Sequence, residues 1–212
     1  ILWDVIFTEA DKKNPKDDAA FSEAISRADN TFLSFYYNEP QQFPYPRLRD
    51  ILIKDISISA AAAAKILGAE PQVIADALPQ ARNMLLDEVT SLLVRDIPDI
   101  SFEDVMERLE SERGWFLFPE DEAYIQECFF HHKLVKAFIN KFAVNIPAQN
   151  WKFKTVSGTL NVPIKEYSKC MKGGGFINAD PDLDGVTRKV PLFVRYEDKI
   201  LPQLTIAALL DR

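Results

Sequence analysis

Two short apolar runs bracket one amphipathic stretch at the start of the chain, and that arrangement restricts the fold more than any other feature. The first, "LWDVIF" (2–7), is rich in strand-forming residues and apolar apart from Asp4. The second, "TFLSFYY" (31–37), reads as a buried strand. Between them a polar loop, "DKKNPKDD", leads into "DDAAFSEAISRADN". There Phe21, Ala24, Ile25 and Ala28 recur at helical spacing and Asn30 offers a C-cap. Strand, helix, strand in that order predicts a βαβ-type unit whose strands pair in parallel.

The texture changes after "NEPQQFPYPR", where prolines cluster. From about residue 50 to 142 the apolar period is mainly helical, with 51–59 open between strand and helix. Ile74, Leu78, Ala81, Leu85, Val89 and Leu92 share one helical face, and Pro79 is expected to kink that helix or begin a new one. "SFEDVMERLESER" opens on a Ser101–Asp104 capping pair. "PEDEAYIQECFFHHKLVKAFINKF" opens on a proline and three acids, the charge a helix N-terminus favours. From Trp151 onward strand character returns, and the tail reads as an antiparallel meander. The predicted fold is α+β: a strand-helix-strand unit and a C-terminal meander forming a mixed sheet, with a long helical insertion at about 50–142 of a single domain spanning 1–212.

Composition excludes several classes. With 47% hydrophobic and 27% charged residues the chain is an ordinary globular one. A net charge of −7 with thinly spread bases argues against nucleic-acid binding, which needs a basic stripe. The stretch "ISAAAAAKILG" falls far short of the ~18 apolar residues that cross a bilayer. The chain opens on Ile1 within a strand-like run, as an excised fragment of a larger protein would. Cys128 and Cys170 could form one disulfide only in an oxidising compartment, and spacing does not decide it.

The motifs suggest binding more than catalysis. Asp180, Asp182, Asp184 and Gly185 copy the opening of a calcium loop, but the twelfth position is Pro191 and supplies no bidentate acid. A turn with a left-handed corner at Asp184-Gly185 fits better. In "VTRKVPLFVRY" strand alternation puts Arg188 on the face of Val186, Val190, Leu192 and Val194. A guanidinium there needs an acid such as Asp4 or a turn aspartate, or a ligand anion. Adjacent histidines diverge by about 100° on a helix, so only one of His131 and His132 can share a face with Cys128, too few ligands for zinc. The "KGGGF" run lacks the ending of a phosphate loop, and its glycines read as sites of close backbone approach or a bend. Asp17-Asp18 and Glu120–Glu122 read as helix-dipole partners. No catalytic constellation, metal site or cofactor motif emerges.

Two segments resemble a known family. "ILWDVIFTEAD…NPKDDAAFSEAISRADNTFLSFYY" and the tail "NVPIKEYSKCMKGGGFINADPDLDGVTRKVPLFVRYEDKILPQLTIAALL" are similar to the second class of CHASE domains, the cyclase/histidine-kinase-associated sensory extracellular domains. Asn178, Asp182, Asp184, Gly185, Arg188 and Pro191 carry the likeness in the tail. The stretch at about 50–142 is longer than that family's usual middle.

The resemblance implies a non-enzymatic, extracytoplasmic input domain of a membrane-anchored receptor. It would bind an unknown small ligand and act on a cytoplasmic cyclase or kinase output module in the same chain, with homodimer packing as one route of control. Arg188, with Asp4, Asp184 and Asn178, is the expected ligand-binding set. The alternative expectation is a protein-interaction module that docks a periplasmic or membrane partner through the helical insertion.

Overall fold

The computed structural model describes residues 1–146, 152–179, 184, 185, 187 and 189–210. The chain divides into two compact units, residues 1–40 with 134–212, and residues 41–133. In chain order the first unit opens with β1 (Leu2–Trp3), α1 (Pro15–Ala28) and β2 (Phe32–Tyr37). The second holds α2 (Pro46–Lys54), α3 (Ala60–Leu67), α4 (Pro71–Asp96) and α5 (Phe102–Glu107), a π-helical turn at Arg108–Glu112, and the start of α6 (Pro119–Phe142). The boundary between units falls within α6. The first unit then continues through β3 (Lys154–Val156), β4 (Leu160–Asn161), α7 (Lys165–Cys170), β5 (Gly173–Phe176), β6 (Phe193–Tyr196), β7 (Lys199–Pro202) and α8 (Leu204–Leu210).

The opening βαβ unit forms as its sequence predicts. β1 pairs with β2 in parallel, Leu2 with Phe32 and Trp3 with Leu33. Helix α1 ends on Asp29 rather than Asn30. Asp29 takes the left-handed conformation at φ 47°, which aspartate tolerates because its short side chain can bond locally. β2 is central, and its two faces differ. Leu33, Phe35 and Tyr37 belong to the main core, with Ile25 of α1 and Val135, Phe138 and Ile139 of α6. Phe32, on the other face, packs with Leu204 and Ala207 of α8. Covering on both faces explains why this strand has almost no polar residues.

The glycine run is itself a strand. β5 pairs with β2 in parallel over Gly173–Phe176. A Cβ at Gly174 would lie 2.6 Å from the Phe138 ring, and one at Gly175 would lie 2.3 Å from the Leu204 backbone. Successive residues point to opposite faces, so the bare positions let α6 and α8 approach β5 from both sides.

The tail corrects the expected meander in part. The hairpin β6–β7 is antiparallel and β4 pairs antiparallel with β2, while β3 runs parallel to β6 and β5 runs parallel to β2. Among the described residues the strands form two mixed sheets, with the isolated bridge Phe176–Gln203 running from β5 to the residue after β7. Among the described residues of the strand expected over 186–196, strand is formed at Phe193–Tyr196, and Val190 and Leu192 are 43% and 57% exposed instead of facing a core. Pro191 has no N–H to donate to a ladder, which stops regular pairing at that point.

The helical unit has its own core, built on Leu48, Leu52, Ile74, Leu85, Leu86 and Ile125. Residues 46–54 settle as helix α2. α4 stays one helix through Pro79, burying Ile74, Leu78, Ala81, Leu85 and Val89 as the spacing predicts, with Leu92 half-buried. The Ser101–Asp104 capping box forms, with both reciprocal bonds present.

Candidate functional site

The first ten residues make a site by what they leave open. After β1 the chain continues extended beside β2, held where the Ser34 hydroxyl donates to the Val5 carbonyl at 2.9 Å and the Ile164 N–H donates to the Phe7 carbonyl at 2.9 Å. These bonds fix Trp3 and Phe7 next to Phe21 of α1 and Tyr167 of α7. Trp3 meets Phe21 edge-on at 5.7 Å between centroids, Phe7 meets Tyr167 edge-on at 5.6 Å, and Tyr167 meets Phe21 at 5.1 Å. Edge-to-face geometry is what aromatic quadrupoles prefer.

Carboxylates border these rings. The Tyr167 hydroxyl donates to Asp18 Oδ1, and the Asp11 N–H donates to Asp18 Oδ2 at 2.8 Å. Asp11 Oδ1 in turn accepts from the Lys13 and Asn14 amides at 2.8 and 3.0 Å, and the Asn14 side chain donates to Asp17 at 2.8 Å. Burial, then the bond to Asp18, pushes the Tyr167 phenol well above its ordinary range, so it stays a neutral donor. Together these side chains line a cleft of about 540 Å³, with Glu9 and Ala10 at its edge.

Three of the residues expected to bind ligand, Asp4, Asp184 and Asn178, lie among the described residues. Asp4 is exposed on the extended opening segment, and Asp184 is exposed in the turn before Gly185, which takes φ 79° as expected of a left-handed corner. Asn178 is tied to the end of β2: its Oδ1 accepts from the Tyr37 N–H at 2.9 Å and its Nδ2 donates to the Tyr37 carbonyl at 2.7 Å. Arg188, Asp180 and Asp182 lie outside the described residues. The aromatic residues of the cleft were missed because Trp3 and Phe7 read as strand interior and Asp17-Asp18 read as dipole partners. The one available signal was the density of acids flanking a helix that begins close behind two aromatic residues.

A second polar cluster lies within the helical unit. His132 Nε2 and Asp87 Oδ1 are 2.8 Å apart, joining α6 to α4. Burial raises the Asp87 carboxyl, but the bonds from His132 and Cys128 outweigh it and hold the group below the usual carboxylate range. Burial and the Asp87 charge push the Cys128 thiol up to about 12, which keeps it protonated and poorly nucleophilic. Both cysteines are free. Among the described residues, no group of three or more His, Cys, Asp and Glu side chains is arranged to hold a metal ion.

The model of the CHASE2 domain family matches residues 1–212, the whole chain. The chain belongs to the CHASE2 domain family. Comparison with curated proteins and with solved structures gave no match. CHASE2 domains are extracellular sensory domains, which supports a sensing role for this chain. Among the described residues, no helix is long and apolar enough to cross a membrane.

Proposed function

We propose that this CHASE2 domain is the extracytoplasmic input domain of a membrane-anchored receptor. It binds a small ligand in the cleft of Trp3, Phe7, Phe21 and Tyr167 and so biases a cytoplasmic cyclase or kinase output in the same full-length chain. The helical unit is proposed to be an insertion into the family's fold. The observation that carries the reading is a cleft of about 540 Å³, inside the ~300–1,000 Å³ range of ligand sites, with aromatic walls and a few placed polar groups. A ligand controls output only through its differential affinity for two conformations or two dimer packings.

A thermal-shift screen of the domain against small anions, amino acids, amines, nucleotides and divalent metals tests it. A ligand at ~100 times its Kd adds about 2.7 kcal/mol of stability. At least one class is expected to stabilise the domain saturably. If an organic anion does so and Arg188→Ala abolishes the effect, the anchor expected from the sequence is the operative one. A flat screen removes small-ligand sensing. It favours the second reading, docking of a protein partner by the helical unit, where Phe116 and Phe130 are 66% and 60% exposed.

A further inference from the structure

The cleft joins two kinds of lining, aromatic rings and carboxylates. We propose that it is a site for an organic ammonium cation, primary or methylated; this rests on the ligand-binding reading above and names its ligand class. Ring faces carry the negative end of the aromatic quadrupole, and tryptophan is the strongest of these surfaces for a cation. Tyr167 adds to the effect, because donating a hydrogen bond to Asp18 leaves its ring richer in electrons.

The charges point the same way. Asp11, Asp17, Asp18 and Glu9 all border the cleft, whereas no lysine or arginine among the described residues does. Lys12, Lys13 and Lys16 belong to the same loop and start of α1, but they are exposed and lie off the lining. An anion would therefore face carboxylates with no compensating base. A divalent metal would need converging oxygens, yet these carboxylates are spread along a loop and a helix start and already accept backbone and side-chain N–H groups. An ammonium with an apolar body satisfies both linings at once, its methyl or methylene groups on the rings and its charge toward the acids.

The test is titration of the 212-residue domain with tetramethylammonium chloride and with n-butylammonium chloride, against sodium chloride at matched ionic strength. Melting temperature and calorimetric Kd are the readouts. The expected result is saturable binding of an ammonium with no matching response to sodium. Trp3→Leu should raise that Kd by about tenfold, Trp3→Phe should raise it much less, and Asp17→Asn should also weaken binding. Trp3 and Asp17 are both exposed, so these variants stay folded, and the Phe variant separates loss of the ring from loss of packing. No saturable response to either ammonium overturns the proposal, as does a Kd unchanged in both Trp3→Leu and Asp17→Asn. If the ammonium ions fail while another ligand class stabilises the domain, the cation assignment falls and the sensing reading stands. If every class fails, both fall.

Discussion

Asn178 does with one side chain what a neighbouring strand residue does with its backbone. Its amide accepts from the Tyr37 N–H and donates to the Tyr37 carbonyl, extending the β5 ladder past the point where β5 ends. Removing it leaves two backbone groups of a half-buried strand end without those partners, which costs roughly 1–3 kcal/mol. Asn178→Ala is therefore expected to lower the unfolding free energy obtained from urea denaturation by that amount. Asn178→Asp should do little better, because a carboxylate cannot donate to the Tyr37 carbonyl. If Asn178→Ala unfolds at the wild-type midpoint, the clamp is not stabilising. In the sequence, Asn178 stood out only as part of a family-like motif. Which backbone it would reach, 141 residues away, had no local signature.

At the scale of elements, α4 and α6 are joined inside the helical unit by Asp87 and His132, with Cys128 and Tyr124 beside them. The Asp87 carboxyl is held below its ordinary value in the folded protein, so its contribution is fully present above about pH 4 and is lost as pH falls through the lower folded value. Asp87→Asn should destabilise the domain at pH 7, and the gap to wild type should narrow on acidification. Urea midpoints from pH 7 down to pH 2 measure this, and two parallel curves would show that the pair contributes no pH-dependent stability. Helix content of this kind was legible in advance. The buried face of α4 and the Ser101–Asp104 capping box follow from periodicity and local chemistry, which act within a few residues. That α4 would continue through Pro79 was not legible. The loss of one hydrogen bond there is set against the burial of Ile74, Leu78 and Ala81 on either side, and tertiary burial is the larger effect.

Among the described residues the two larger hydrophobic cores lie around Leu85, Leu86 and Ile125 and around Leu33, Phe35 and Phe138, in addition to the small cluster of Phe32, Leu204 and Ala207. Leu85 is fully buried in the first, so Leu85→Ala should cost about 2–5 kcal/mol there. Calorimetry of that variant is expected to resolve two transitions, with the lower one belonging to the helical unit. A single transition shifted as a whole would mean that the two cores unfold as one. Sequence alone determined the strand-helix-strand opening, the helical middle, the strand-rich tail and the CHASE2 resemblance. Each depends on period, caps or a contiguous motif, all of them short-range. Only the tertiary structure decided where β5 pairs, where the tail divides into two sheets, and that residues 3, 7, 21 and 167 meet around the acids of one loop and the start of α1. Those outcomes depend on which distant surfaces can approach closely enough to exclude water, and here bare glycines and one proline without an N–H set that limit.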